Sequence, residues 1–135
     1  MQPEFIHLRL HSEYSLVDGI VKIKPLINTV AEAGMPAVAI TDQSNLFSLV
    51  KFYRTALAKG IKPIAGADVN IFNPDDVSQP FCLTLLVKNN AGYVTLTELI
   101  SRAYQEGQHL GVPMLRREWL EQNHDGLIVL SGAME

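Results

Sequence analysis

The sequence contains a single cysteine, Cys82, which cannot form a disulfide within the chain. Persistent disulfides belong to oxidising compartments, so this composition favours a reducing one, and we expect a cytoplasmic protein. The first residues carry neither a basic nor an apolar segment, so no secretion signal is expected. The strongly apolar run at 83–87 is far too short to cross a bilayer. Cys82 adjoins this run and is interpreted as a small buried hydrophobic residue rather than a reactive thiol.

Positive charge is also scarce, since 11 Lys and Arg face 14 Asp and Glu, for a net charge of −3. A protein that follows a phosphate backbone needs a basic surface, so we do not expect this chain to hold DNA strongly by itself. Glycine-rich phosphate loops and local Ser-His-Asp or Cys-His motifs are absent from the sequence. The 135 residues are 47% apolar and 19% charged, which suits one globular domain with a sizeable core.

Strand-like and helix-like segments alternate along the chain. Strands are predicted at 5–11, 37–41, 64–72, 82–87 and 127–130, and helices at 21–33, 45–59, 93–106 and 116–122. This alternation predicts an α/β fold with a mainly parallel sheet, either doubly wound or barrel-like. In both architectures function gathers where strands end. His11 ends the first predicted strand, Asp42 the second, and Ser131 and Gly132 the fifth, while Asp68 lies in the third, which predicts a pocket at this edge.

The second predicted helix carries an apolar stripe that we expect to face the core. Its members are Leu46, Leu49, Val50, Tyr53 and Leu57. Elsewhere, Trp119 is expected to seal the edge of the core. His109 and His124 lie in polar stretches and are expected to be solvated surface side chains.

The first predicted strand places His7, Arg9 and His11 on one face, because their positions are two apart. A metal site for phosphate hydrolysis needs several histidines and carboxylates that converge. The candidates are His7, His11, Asp18, Asp42 and Asp68. Each also has an ordinary structural explanation: Asp18-Gly19 is a common turn, and Asp42 could serve either as a ligand or beside a helix start that Ser44 is expected to cap.

Arg9 stands where a metal-dependent enzyme would want a ligand, and its guanidinium is a permanent cation. Asp68 lies inside an apolar strand, and a buried carboxylate needs a cation or hydrogen-bond donors. We therefore hypothesise an ion pair between Arg9 and Asp68. It predicts that Arg9→Ala would be markedly destabilising, because it leaves a buried charge without its partner.

Three stretches together resemble the motifs of the PHP (polymerase and histidinol phosphatase) domain. They are FIHLRLHSEYSLVDG at 5–19, GMPAVAITD at 34–42 and GIKPIAGADVN at 60–70. Two later stretches, LTLLVKNNAGY at 83–93 and GLIVLSG at 126–132, fit one branch of this family. That branch is the N-terminal PHP domain of the bacterial DNA polymerase III alpha subunit.

The resemblance implies a distorted seven-stranded βα barrel, of which residues 1–135 would form about the first half as a single domain. The later strands and the polymerase domains would lie outside this chain. A half-barrel would leave apolar edges uncovered, so self-association is expected.

The resemblance also implies that much of the family's metal site is lost. Vestigial ligand positions would be His11, Asp18 and Asp68, where Asp68 replaces a glutamate. Ligand positions would be lost at Arg9, Gln43, Cys82 and Ala133. Of these changes Arg9 matters most, because a fixed positive charge repels a divalent cation within a few ångströms. No catalytic residue, metal or cofactor is therefore expected in this segment.

The function implied is that of a non-catalytic structural module in a parent protein that synthesises DNA with Mg²⁺. Its expected partners are the proofreading exonuclease subunit and other subunits of the polymerase III holoenzyme, while DNA would be held by the rest of the parent. The alternative is a metal-dependent phosphoesterase or 3′–5′ exonuclease that uses a residual Zn or Mn site. That site would be built from His7, His11, Asp18 and Asp68.

Overall fold

The computed structural model describes residues 5–132, which form two compact units with their boundary between Ala67 and Asp68. The first unit contains a 3-10 helix (Glu13–Ser15), helix α1 (Ile23–Glu32), strand β1 (Ala37–Ile40), helix α2 (Leu49–Ala58) and the first part of strand β2 (Lys62–Ile71). β1 and β2 pair in parallel, with Ala37 opposite Lys62 and Ile40 opposite Ala65. The α/β class expected from the sequence is therefore confirmed.

The core of the first unit lies between α1, α2 and the strands. Its buried members are Ile23, Ile27, Val30, Val38, Ile40, Phe52, Ala56 and Ile61. The three residues from α1 follow the spacing of one helix face. Pro25 is tolerated because it lies in the first turn, where its missing N–H would have no helical partner. Gly34 adopts a φ of 71° just after the helix, which favours glycine.

Residues 5–11 run beside β1 but do not form the regular strand that was predicted. The N–H of Ala39 donates to the carbonyl of His7 at 2.9 Å, and the N–H of Thr41 to that of Leu10 at 2.8 Å. The accepting carbonyls, of His7 and Leu10, are three residues apart, whereas the donating amides, of Ala39 and Thr41, are two residues apart. The segment 5–11 therefore contains one extra residue relative to β1, as in a β-bulge. The Thr41 hydroxyl oxygen accepts the Leu10 N–H at 2.9 Å in place of a backbone carbonyl.

Helix α2 begins four residues later than predicted. The side chain of Asn45 donates to the carbonyl of Tyr14 at 2.9 Å and accepts the N–H of Phe47 at 3.1 Å. Such side-chain bonds compete with helix formation, so the chain turns here instead. Ser44 has a φ of 54° and does not cap the helix, so its predicted role is wrong; the N-cap is Ser48, which makes no side-chain capping bond.

The predicted apolar stripe of α2 is also largely wrong. Phe52 and Ala56 are the buried residues of this helix, whereas Val50, Tyr53 and Leu57 are exposed. Both sets have helical spacing, so periodicity alone could not say which one faces the core.

The second unit contains the end of β2, strand β3 (Phe81–Val87), helix α3 (Asn90–Glu106), strands β4 (Gln108–His109) and β5 (Val112–Pro113), helix α4 (Arg117–Gln122) and strand β6 (Leu127–Ser131). β3 lies next to β2 in the sheet order and pairs with β6 in antiparallel fashion, with Leu83 opposite Ser131. The predicted mainly parallel sheet thus needs correction in this unit.

Helix α3 packs Leu96, Leu99 and Ala103 into the second unit, as its pattern predicts. Trp119 is buried, and the Arg102 guanidinium lies over its ring at 4.2 Å from the ring centroid. Cys82 is half-buried rather than fully buried as predicted. Among residues 5–132, no helix combines the length and the apolar character that crossing a bilayer requires.

One element of the second unit is absent from the prediction. β4 and β5 form a short hairpin whose turn is Leu110-Gly111, with φ values of 50° and 81°. Positive φ at both central residues is the geometry of a tight hairpin turn, but leucine is uncommon there. His109 lies in β4, and both it and His124 are exposed, as expected.

Candidate functional site

The carboxylate of Asp42 is the most heavily hydrogen-bonded side chain among the sequence candidates of the first unit. Its Oδ1 accepts the Ser12 N–H at 2.6 Å and the Ser15 hydroxyl at 3.1 Å. Its Oδ2 accepts the Ser12 hydroxyl at 2.9 Å and the Ser48 hydroxyl at 2.7 Å. Asp42 is only 1% exposed, and all three serines are buried. The carboxylate is therefore saturated by donors from its own unit.

These contacts show how the structure holds Asp42. Four donors occupy its two oxygens, and a carboxylate so engaged has little capacity left to bind a metal ion. The Ser48 bond ties it to the turn before α2, and the Ser12 and Ser15 bonds tie it to the 3-10 helix. Asp42 is thus a tertiary anchor.

The loop that follows the 3-10 helix closes on itself at its base. The Glu13 N–H donates to the Val21 carbonyl at 2.8 Å, and Ser12 forms a bridge with Val21. Gly19 packs against this base so tightly that a Cβ would lie 1.7 Å from the Ser12 carbonyl oxygen. Residue 19 must therefore be glycine for this loop to close as it does.

His11 and Asp18 are brought together by this loop. The His11 Nδ1 lies 2.7 Å from the Asp18 Oδ2, and the two side chains are 14% and 45% exposed. Two residues predicted as metal-ligand candidates thus engage one another. His7 is exposed, and its ring makes an edge contact with that of Phe5.

The position where the family pattern has a histidine after Asp42 is held by Gln43. Its backbone N–H donates to the Ser15 hydroxyl at 3.0 Å, and its side-chain amide lies 3.4 Å from the Ser44 hydroxyl. The amide is therefore engaged with a neighbour in its own loop.

Asp68 is fully buried at the start of the second unit, as the apolar strand around it suggested. The Thr84 hydroxyl, on β3, donates to its Oδ1. On the same strand the Cys82 carbonyl accepts the Gly132 N–H at 2.9 Å, so the end of β6 lies beside the start of β3. The Arg9–Asp68 pair stays a prediction, and Ala133 lies outside the described residues.

Within residues 5–132, no three or more His, Cys, Asp or Glu side chains are grouped so that they could hold a metal ion. Arg9 adds a fixed cation to the 5–19 motif.

The main feature that sequence reasoning missed is the set of serines around Asp42. Ser12 and Ser15 precede it by about thirty residues, and Ser48 follows it by six. The sequence offered only a general indication of this cluster. A carboxylate that follows a buried strand needs hydrogen-bond donors, and serines lie within the 5–19 motif and soon after the 34–42 motif.

A family model for the PHP domain matches residues 7–135. The chain belongs to the PHP domain family. The DNA polymerase III subunit alpha of Pseudomonas fluorescens is 53% identical over 135 residues, which is all of this chain and 12% of that relative. The protein of the same name from Escherichia coli K12 is 49% identical over 134 residues, or 11% of its length. This PHP chain thus spans about an eighth of the curated relatives it matches.

Solved structures agree on the fold. An amidohydrolase from Chromobacterium violaceum superposes with a TM-score of 0.57 at 20% identity, covering 74% of this chain and 33% of that one. A protein described as a metal-dependent phosphoesterase, from Bifidobacterium adolescentis, gives 0.57 at 12% identity, covering 78% and 35%. At these identities the likeness establishes a PHP-type α/β fold, of which this chain corresponds to about a third of each structure.

Proposed function

We propose that this PHP chain is a non-catalytic structural module of a bacterial replicative DNA polymerase alpha subunit and that it docks the proofreading exonuclease subunit. The parent protein would synthesise DNA in the cytoplasm with Mg²⁺ held outside this segment, among the other subunits of the holoenzyme. About 50% identity to relatives of that name supports the assignment to this subunit.

The cation of Arg9, beside the paired His11 and Asp18, carries the non-catalytic part of the proposal. His11 and Asp18, both ligand candidates, are hydrogen-bonded to each other at 2.7 Å. Arg9 supplies a fixed cation at a ligand position two residues away. A divalent ion bound there would have to overcome the fixed charge of Arg9, and one oxygen of Asp18 is already engaged with His11.

Metal analysis of the intact protein tests this part. We expect far less than one equivalent of Zn or Mn after purification, and no phosphoesterase or 3′–5′ exonuclease activity that depends on His11. His11→Ala is the diagnostic variant, and His109→Ala is its matched control, because His109 is exposed on β4. Stoichiometric metal that His11→Ala removes and His109→Ala leaves in place would favour the phosphoesterase alternative.

The docking part rests on an exposed face of helix α2. Val50, Tyr53 and Leu57 occupy one narrow arc of the helix and are 65%, 52% and 54% exposed. Arg54 is exposed on the same side, so the face combines apolar surface with positive charge. Large side chains grouped in this way on a protein surface mark a site of protein association.

Binding of the exonuclease subunit to the intact alpha subunit tests this face. Val50→Glu should weaken binding by roughly tenfold or more, because it places a charge in a buried apolar contact. Val94→Glu is the matched control, since Val94 is also a helix-surface valine, at 53% exposure, on α3 of the second unit. Equal affinity of both variants and the unsubstituted protein would reject this face as the docking site.

A further inference from the structure

The loop at 12–21 has no hydrophobic core of its own. Each residue from Leu16 to Ile20 is exposed or only partly buried, and Val17 and Ile20 are more than nine-tenths exposed. Leu16 also adopts a φ of 68°, a conformation that is costly for a leucine. Tyr14 packs against the core of the first unit, but from Leu16 to Ile20 apolar burial is slight, so polar contacts must fix the shape of this part of the loop.

Those polar contacts converge on one buried carboxylate. Ser12 and Ser15, at the start of the loop, donate three of the four hydrogen bonds that Asp42 accepts, and the backbone N–H of Ser12 is among the donors. The fourth donor, Ser48, belongs to the turn before α2. Ser12 in turn accepts the N–H of Tyr14 at 3.1 Å and so begins the 3-10 helix that leads into the loop.

We propose that Asp42 is a positioning residue, which sets the one conformation of the 12–21 loop that brings Asp18 to His11 and presents Leu16, Val17 and Ile20 at the surface. The carboxylate acts through the two loop serines and not through contact with a ligand. This role does not depend on the proposed docking function, since it concerns the shape of the loop in the protein alone.

The geometry explains why the anchor has to be a carboxylate. Two oxygens with several acceptor sites can receive four donors from three directions, whereas a hydroxyl offers fewer acceptor sites on a single oxygen and an amide also brings its own N–H groups. Bonds to an ionised acceptor in a buried place are also stronger than bonds between neutral groups. Both features suit an anchor that fixes a loop in which Tyr14 packs against the core but Leu16, Val17 and Ile20 do not.

Hydrogen–deuterium exchange of the intact protein, read by mass spectrometry, tests the proposal with a matched pair of variants. Ser15→Ala and Ser48→Ala each remove one buried serine hydroxyl from the same carboxylate, but only Ser15 lies in the loop. Ser15→Ala should raise exchange of amides in 12–21 by about tenfold or more, because it removes a bond to a charged acceptor; it also removes the acceptor of the Gln43 N–H, so the Gln43 amide is left out of the comparison. Ser48→Ala should raise exchange mainly at 43–49 and spare the loop.

A second measurement follows the consequence for His11. Modification of histidines by diethyl pyrocarbonate should become faster at His11 in Ser15→Ala and in Asp42→Asn, because the loop no longer holds Asp18 against the imidazole. His109 and His124 are exposed and serve as references within the same molecule. Their rates should stay unchanged.

Three results would overturn the proposal. One is equal exchange of the loop in Ser15→Ala and the unsubstituted protein. Another is a rise that extends equally through α1 and β1 and to all the histidines, which would make Asp42 a contributor to global stability alone. The third is identical local patterns for Ser15→Ala and Ser48→Ala. Because Ser15→Ala leaves the carboxylate and three of its four donors in place, the test does not depend on Asp42→Asn folding.

Discussion

Asp42 in the first unit and Asp76 in the second both accept hydrogen bonds from serine. Asp42 is buried and receives donors from Ser12, Ser15 and Ser48. Asp76 lies on the surface and receives both the N–H and the hydroxyl of Ser78, at 3.0 Å and 2.6 Å. In both clusters a carboxylate accepts hydrogen bonds from serine. Ser12 and Ser15 lie about thirty residues from Asp42 in the sequence, whereas Ser78 lies two residues from Asp76.

The difference separates a tertiary anchor from a local turn. Around Asp76 the solvent can replace any bond that breaks, so each bond contributes little to the free energy of unfolding. Asp42 is shielded from solvent, and two of its partners, Ser12 and Ser15, are distant from it in the chain. An aspartate that follows a buried strand can therefore join distant segments through its hydrogen bonds.

Among these substitutions, Asp42→Ala should lower the free energy of unfolding the most. It would leave one backbone N–H and three hydroxyls without their acceptor, and each such buried donor costs about 1–3 kcal/mol, so we expect a loss of about 3 kcal/mol or more in the free energy of unfolding. Equilibrium denaturation with urea measures it. Asp42→Asn should lose less, because the amide keeps one acceptor oxygen.

Asp76→Ala is the control for that measurement. Its carboxylate is exposed, and Ser78 can turn to water, so we expect no measurable change in the urea midpoint. If Asp42→Ala and Asp76→Ala had the same urea midpoint, the hydrogen bonds of Asp42 would stabilise the protein no more than those of Asp76.

The same contrast explains what the sequence could predict. The turn around Asp76 follows from the local pattern Asn-Pro-Asp-Asp, which needs only neighbouring residues. The helices α1 and α3 and the burial of Trp119 were also predicted, because helical periodicity is local. The role of Asp42 was not predicted, because Ser12 and Ser15 are distant from it in the chain. The local sequence around Asp42 would also look the same for a metal ligand, a helix cap or a structural anchor.

The errors have a similar physical origin. Val50, Tyr53 and Leu57 have the spacing of a core-facing stripe, but Phe52 and Ala56 occupy the core, and a choice between two apolar faces needs the packing partner. The late start of α2 depends on the bond between Asn45 and Tyr14, which lie 31 residues apart. The hairpin of β4 and β5 was missed because two-residue strands carry almost no periodicity.

Removing a single serine hydroxyl compares the buried and the exposed carboxylate with a smaller expected effect. Ser48→Ala deletes one hydroxyl from the buried carboxylate and should lower the free energy of unfolding by about 1–2 kcal/mol. Ser78→Ala deletes one hydroxyl from the exposed carboxylate and should leave it unchanged within error. Urea titrations of both variants measure these changes. Equal losses in the free energy of unfolding would contradict the distinction between a tertiary anchor and a local turn.

The smallest expected effect is in the pH dependence of the surface turn. The Ser78 hydroxyl, and then the Ser78 N–H, hold the pKa of Asp76 below its ordinary value, while desolvation opposes them weakly. Because the folded-state pKa is lowered, the stabilisation is complete above the unfolded-state pKa and is lost as the pH falls through the folded one. An NMR titration of the Asp76 carboxyl should therefore show a pKa that rises toward its ordinary value in Ser78→Ala. The same pKa in both proteins would mean that the serine bonds seen at 2.6 Å and 3.0 Å do not favour the ionised carboxylate.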